Sequence, residues 1–259
     1  MRFLIHLGLI DTTCEIPVNY QYPLSAAIYK IISKGDTNYA AFLHGKGYGK
    51  GFKFFSFSQI EGQYKIEGDR FRILSRGVSL QVSFHLPEAA EGFVKGLFLD
   101  EKIEIADKKS RGVFRIERVE VLPDPLAQHG DRDMVTMVLR PVSPLVAAVP
   151  NTRGKDDYLE PGESAYVENI IYNWRQKIAT IFGSETGGEA LLLAEVLFYN
   201  SPPRSRLVTI KEGTGAQTRV RGWMNFKMKV TAEKRFLELL LNGGAGVNNA
   251  IGFGCVWAA

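Results

Sequence analysis

The chain has 259 residues and a formal net charge of +4, and 45% of its residues are hydrophobic against 23% charged. This is the composition of a folded globular protein with a sizeable core, and it argues against a disordered chain. No apolar run approaches the ~20 residues of a transmembrane helix, and Cys14 and Cys255 lack the CxxC spacing of a zinc site. We therefore expect a protein of the reducing cytoplasm that uses neither a membrane nor a metal.

The first half of the chain alternates strand and helix patterns. Phe3, Ile5 and Leu7 alternate with other residues and predict a strand over 2–10. The later elements are a helix over 23–35, strands over 52–58, 68–75 and 77–86, a helix over 87–99, and strands near 102–106 and 112–121. Their order reduces to β-α-β-β-α-β, which is that of a ferredoxin-like unit.

A polar segment with two prolines over 122–133 separates this unit from a second one. The second half predicts, in order, a strand over 133–142, a helix over 163–182, a strand near 191–199, a hairpin over 207–228, a helix over 232–241 and a strand over 253–258. We therefore predict an α+β protein with two tandem ferredoxin-like (RRM-like, βαββαβ) domains, over 1–124 and 131–259.

Positive charge is concentrated around the predicted hairpin. Between Arg204 and Arg235 there are nine Lys and Arg residues against two acidic ones. Such a block indicates a polyanionic partner, although a solvated basic face explains it equally well. The residues expected to contact a polyanion are Arg204, Arg206, Arg219, Arg221 and Lys227.

A glycine-rich loop, "NGGAGVNNAIGFGC", connects the last helix to the last strand. It holds two Gly-x-Gly pairs, Gly244 with Gly246 and Gly252 with Gly254, separated by five residues. Glycine permits positive φ and close approach of a ligand, and a run of free N–H groups would suit phosphate oxygens. A dinucleotide-binding fingerprint would follow a strand and open a helix, so it does not fit this loop. A plain glycine-rich turn is the other interpretation.

At the C-terminus of two ferredoxin-like units, this loop resembles the glycine-rich signature of the RAMP superfamily of CRISPR-associated RNA-binding proteins. With the basic hairpin and "FKFFSFS" after the first helix, the chain is similar to the pre-crRNA processing endoribonucleases of that group. The resemblance implies cleavage of CRISPR repeat RNA without metal or cofactor. It also implies effector-complex subunits, or a second copy of the chain, as further partners.

The segment "AFLHGKGYGKGFKFFSFS" carries the expected chemistry. Histidine suits general acid or base catalysis near neutral pH, and His44 enters a glycine- and lysine-rich loop that we expect to be mobile. The resemblance implies a site made of a tyrosine on the first helix, a histidine in the next segment and a downstream lysine. Tyr29, His44 and Lys50 match that order, while Lys46 and Lys53 are rival cations and candidate RNA contacts.

The other histidines are weaker candidates. His6 is expected to be structural, His85 to be solvated or hydrogen-bonded on the polar face of its strand, and His129 to lie in the linker. The glycine loop alone does not distinguish an endoribonuclease from a RAMP subunit that binds crRNA in an interference complex without cutting it. That non-catalytic subunit is the alternative function.

Overall fold

A computed structural model describes residues 1–152 and 154–259. Eight strands and three helices form the first half. They are β1 (Arg2–Leu9), β2 (Cys14–Pro17), α1 (Gln21–Gly35), α2 (Thr37–Gly45), β3 (Phe55–Phe57), β4 (Tyr64–Glu67), β5 (Arg70–Ile73), β6 (Gly77–Phe84), α3 (Pro87–Leu99), β7 (Lys102–Ala106) and β8 (Arg111–Val121).

The main sheet of this half has the order β3-β6-β1-β8-β7, and its pairings are antiparallel. The order is ferredoxin-like, with β7 added at one edge. Phe3, Ile5 and Leu7 enter a core that also takes residues of α1 and α3, as the alternation predicts. A side sheet with the order β2-β5-β4 was not predicted as a unit.

The second half consists of β9 (Met134–Pro141), β10 (Ala148–Pro150), β11 (Asp156–Tyr158), α4 (Ser164–Phe182), α5 (Ser184–Glu189), β12 (Leu193–Phe198), β13 (Arg204–Ile210), β14 (Thr218–Met224), β15 (Phe226–Glu233), α6 (Lys234–Gly243), a 3-10 turn (Asn249–Ile251) and β16 (Val256–Ala258). Its sheet order, β12-β15-β9-β16, is again ferredoxin-like. The prediction of two ferredoxin-like units is confirmed.

The hairpin predicted over 207–228 ends earlier than expected, at Met224. Strands β13 and β14 form a separate hairpin, inserted between β12 and β15. Asn225 has φ 63°, a left-handed conformation that interrupts the strand. Phe226, Met228 and Val230 then alternate into the second core. Lys227 therefore belongs to the central sheet, where its ammonium lies 5.3 Å from the Tyr199 ring centroid, and not to the hairpin.

The two units share part of one core. Phe54, from the loop before β3, is buried in the core of the second unit together with Trp174 and Leu240. It has φ 51°, a strained value for a bulky residue, and its carbonyl accepts a hydrogen bond from the His85 amide at 2.9 Å. The segment after His44 is therefore anchored in both halves. No helix among residues 1–152 and 154–259 is both long and apolar enough to span a membrane.

Candidate active site

A cavity of about 670 Å³ lies between the two units and contains the three predicted catalytic residues. Tyr29 reaches it from α1, His44 from the end of α2, and Lys50 from the following turn. The second unit contributes part of the cavity wall, through residues that were not predicted to be catalytic. These are Tyr172, Asn173, Gln176 and Lys177 of α4, and Gly243 and Gly246 to Ile251 of the last helix and the glycine loop.

Tyr29 and His44 are in direct contact. Their ring centroids are 5.3 Å apart in an edge-to-face arrangement, and the Tyr29 ring also meets Phe55 at 5.4 Å. Helix α2 begins at Thr37 because the Asp36 carboxylate accepts a hydrogen bond from the Tyr39 amide at 2.9 Å. It ends just after His44, so the exposed imidazole lies at a helix C-terminus.

Burial strengthens the preference of the Tyr29 side chain for its neutral form. The residue is half-buried on α1, and burial raises the pKa of its phenol well above the usual value because the charged phenolate loses hydration. Tyr29 therefore stays neutral at ordinary pH. A neutral phenol can orient a hydroxyl group by hydrogen bonding.

The loop after His44 is a closed turn and not the mobile loop expected from its glycines. The amides and carbonyls of Tyr48 and Phe52 pair in both directions at 2.8 Å. Gly47, Gly49 and Gly51 have φ values of 66°, 52° and 90°, which side chains with a Cβ rarely adopt. The glycines therefore serve the shape of the turn.

Two of the three rival lysines line the cavity. The Lys50 ammonium lies 3.5 Å from the hydroxyl of Tyr172. The Lys53 ammonium donates to the carbonyl oxygen of His44 at 3.2 Å, and burial lowers the pKa of Lys53. Lys46 is exposed at the start of the turn and outside the cavity wall. Lys53 is thus engaged with the backbone, whereas Lys50 extends across the cavity from the first unit towards the second.

Lys177 is a cavity-lining residue that the sequence analysis missed. Its side chain is buried, and its ammonium donates to the carbonyls of Gly244 (2.7 Å) and Gly246 (3.0 Å) and to Oδ1 of Asn249 (2.7 Å). Desolvation lowers its pKa to about 7. The sequence does indicate that Lys177 is buried, because it follows Ile170 and Trp174 at helical spacings of seven and three on the buried face of α4.

The four signature glycines are buried, and all have positive φ. The expectation of a run of free N–H groups is wrong for most of the loop, because its own carbonyls and neighbouring ones accept these hydrogen bonds. Donors used in this way are the amides of Gly244, Ala245, Val247, Ile251, Gly252 and Gly254. Gly246 borders the cavity, while Gly244, Gly252 and Gly254 lie beneath it and shape the wall.

Gly254→Ala is expected to destabilise the protein and the cavity wall. A Cβ there would lie 1.9 Å from the carbonyl oxygen of Ala245, at a φ of 66°, so that the backbone must move. We expect a loss of about 3 kcal/mol in the free energy of unfolding, measured by urea denaturation. Gly188→Ala is the matched control, since its Cβ would meet nothing within 4 Å. Equal stability of both variants would contradict the packing argument.

The hairpin arginines divide into two groups. Arg219 and Arg221 are exposed on its outer face, as their alternation with buried Val220 predicts, and Arg204 is exposed at its base. Arg206 is on the inner face, where it donates to the carbonyl of Val18 at 2.8 Å and lies over the Tyr20 ring. Its guanidinium therefore fastens the hairpin to the first unit, and the expectation of an RNA contact at Arg206 does not fit this placement.

The remaining histidines lie away from the cavity. Of the two alternatives for His85, a solvated side chain does not fit, because this side chain is largely enclosed and burial lowers its pKa to about 4. His6 is 2.8 Å from the Glu120 carboxylate, and His129 contacts Gln128 in the linker. Across the part of the chain that the structure describes (1–152 and 154–259), no three His, Cys, Asp or Glu side chains are grouped so as to hold a metal ion.

Comparison with family models agrees with this architecture in both halves. Residues 15–119 match the model described as CRISPR-associated protein Cas6, N-terminal, and residues 127–257 match CRISPR associated protein Cas6, C-terminal. The chain is 27% identical over 250 residues to "CRISPR-associated endoribonuclease Cas6 1" of Methanocaldococcus jannaschii, covering 95% of this chain and 88% of the relative. It is 28% identical over 260 residues to the "CRISPR-associated endoribonuclease Cas6" of Pyrococcus furiosus, covering 99% and 89%.

Solved structures show the same fold. One, titled for a Cas6-related gene from Pyrococcus furiosus, superposes with a TM-score of 0.81 at 19% identity, over 100% of this chain and 98% of the other. Another, titled "An RAMP protein binding different RNA substrates", gives 0.79 at 17% identity, over 100% and 99%. At these identities the likeness establishes the fold alone.

Proposed function

Because the chain belongs to the Cas6 family of CRISPR-associated proteins, we propose that it is a metal-independent endoribonuclease. Its substrate is CRISPR repeat RNA within pre-crRNA, and its product is mature crRNA. One observation carries the proposal: Tyr29, His44 and Lys50, which are separated by 15 and 6 positions in the chain, line one cavity of about 670 Å³ between the units. The two relatives named as Cas6 endoribonucleases support the assignment.

The proposed reaction is attack of a 2′-hydroxyl on the adjacent phosphorus. The 2′ oxygen loses its proton and forms a bond to phosphorus, the bond from phosphorus to the 5′ oxygen breaks as that oxygen takes up a proton, and the products are a 2′,3′-cyclic phosphate and a 5′-hydroxyl. His44 is the acid or base at a reacting oxygen. Neutral Tyr29, in contact with the imidazole, orients the 2′-hydroxyl. Lys50 stabilises the extra negative charge on the phosphorane.

The first experiment is incubation of the purified protein with its repeat RNA in EDTA. We expect undiminished cleavage and a 2′,3′-cyclic phosphate end, and no cleavage when deoxyribose replaces ribose at the cut site, because the attacking 2′-hydroxyl is then missing. An RNA that is bound tightly but never cut would instead identify a non-catalytic crRNA-binding subunit. Cleavage that stops in EDTA and returns with a divalent cation would overturn metal independence.

The hairpin is proposed to bind the phosphates of the repeat. Replacing Arg219 and Arg221 together with alanine should weaken RNA binding and reduce the slope of log affinity against log salt by about one for each phosphate that is no longer neutralised. Both side chains are exposed, so folding should be unaffected. Filter binding over a salt series measures the effect. Arg76→Ala with Arg132→Ala, also exposed, is the matched control, and identical slopes for the two double variants would exclude the hairpin.

A further inference from the structure

A second cavity, of about 500 Å³, lies on the other side of Tyr22 from the candidate active site. Tyr22 lines both cavities. The second is bounded by the start of α1, by the tip of the β13–β14 hairpin over 211–214, and by the turn between β7 and β8 over 107–109. The two spaces are thus neighbours that share one aromatic wall.

Tyr22 is held in place by the hairpin and the glycine loop. It packs against the small core cluster that contains Val208 and Ile210 of β13 and Phe253 of the loop. The residue is only half-buried, so part of it is accessible to a ligand. The Lys211 ammonium lies 6.0 Å from the centre of the Tyr22 ring. An aromatic ring with an adjacent lysine is a combination that binds nucleotides by base stacking and phosphate contact.

Hydrogen bonds within the protein hold both sides of the second cavity in place. On one side, Arg206 of β13 donates to the Val18 carbonyl just before α1. On the other, Arg70 donates to Asp107 (2.7 Å) and Ser110 (2.9 Å) and so holds the β7–β8 turn. A preformed pocket of 300–1,000 Å³ with few polar groups is typical of a small-ligand site, and this cavity falls within that range.

The charges at the rim favour the phosphate of a nucleotide. Arg70 and Lys109 are paired with Asp107 and Asp69, each at 2.7 Å. Beyond these pairs the lining contains Lys108 and Lys211, opposed by the single carboxylate of Glu212. The excess is positive. Asn19, Thr209 and Thr214 add neutral donors and acceptors to the lining, which suit the edge of a base.

We propose that this second cavity binds one base of the RNA substrate, stacked on Tyr22, at a nucleotide that flanks the cleaved phosphodiester. The proposal rests on the proposed function, because Tyr22 is a wall of both cavities and a base in the second one therefore adjoins the cavity that His44 and Tyr29 line. Lys211 leaves the ring for the phosphate when the base takes its place. Tyr22 is thereby a substrate-binding residue that selects the register of cleavage.

The test is a double-mutant cycle between Tyr22 and single abasic sites in the repeat RNA. Tyr22→Ala should lower the affinity about 10-fold, and Tyr22→Phe should bind as wild type because it keeps the ring. Removing the base at one flanking position should weaken wild-type binding by the same factor and leave Tyr22→Ala unaffected. Tyr64→Ala, another partly exposed tyrosine on a side sheet, should respond to the abasic series as wild type does.

Affinity and single-turnover cleavage are measured separately, so that the two proposals can fail independently. A protein that binds but does not cut would refute the endoribonuclease, and the abasic cycle on affinity would still decide the stacking. Strictly additive effects of Tyr22→Ala and of every abasic site would overturn the base pocket while leaving the endoribonuclease intact. Thermal melting of Tyr22→Ala and Tyr22→Phe checks folding. If only the alanine variant unfolds, Tyr22→Leu, which fills more of the space but has no aromatic ring, repeats the cycle.

Discussion

Replacing His44 with alanine is expected to slow cleavage of repeat RNA by about 10²–10⁴-fold, the usual contribution of a general acid or base, and to change RNA affinity by no more than about threefold. The imidazole is exposed in the cavity, so its loss should leave the core intact. Its one ring partner, Tyr29, keeps its contact with Phe55. Single-turnover cleavage and filter binding measure the two effects.

His129→Ala is the matched control, because His129 lies in the linker and outside the cavity. It should cut and bind as wild type. A His44→Ala protein that cuts in EDTA at the wild-type rate would refute the assignment. If His44→Ala instead loses binding and cleavage together, then His44 holds the RNA and another group transfers the proton.

Lys177→Met is expected to lower the free energy of unfolding by about 3 kcal/mol, because an unsatisfied buried polar group costs about 1–3 kcal/mol and three acceptors lose one donor. These acceptors belong to Gly244, Gly246 and Asn249. Asn249 in turn donates to the carbonyls of Ala245 and Phe253, so the whole glycine loop depends on the ammonium. We expect cleavage to fall as the cavity wall moves. Chemical denaturation and cleavage assays measure the two losses.

The stability deficit of Lys177→Met should widen as the pH rises. Below pH 7 the lysine is protonated in both the folded and the unfolded chain, because its pKa is about 7 when folded and 10.5 when free. Between these values the unfolded chain binds more protons, so the wild type gains stability with pH, at most about 1.4 kcal/mol per pH unit. Methionine has no such gain. Denaturation at pH 6 and pH 9 measures the difference.

Lys229→Met is the matched control, since Lys229 is exposed on β15. It should be within about 0.5 kcal/mol of wild type, as is usual for surface substitutions, at either pH. A Lys177→Met protein that is as stable as wild type at pH 6, where the folded lysine is protonated, with an unchanged glycine loop, would show that the three contacts of the ammonium contribute nothing.

The order of helices and strands was predictable because it depends on local patterns. Alternation in β1 and the stripe of Ile170, Trp174 and Ile178 in α4 reflect periods of two and about 3.6 residues, which any chain must follow to bury one face. The prediction was wrong where two neighbouring strands have the same local pattern but pair with different partners. The basic run past Met224 looked continuous with the hairpin, whereas β15 pairs with β9 and β12.

Tertiary structure alone decided which groups of this protein meet. The family resemblance implied Tyr29, His44 and Lys50 as a set, and the fold brought α4 and the glycine loop to the same cavity. The fold also gave Lys177 and Arg206 hydrogen bonds to backbone carbonyls in place of water. The sequence could not show this, because a lysine or arginine is expected to be exposed unless its hydrogen-bond acceptors are known. The composition and periodicity of the chain thus determined two ferredoxin-like units and a family resemblance. The packing of one unit against the other formed the candidate active site. Local patterns could not predict this packing, because it brings together residues more than a hundred positions apart, such as Lys50 and Tyr172.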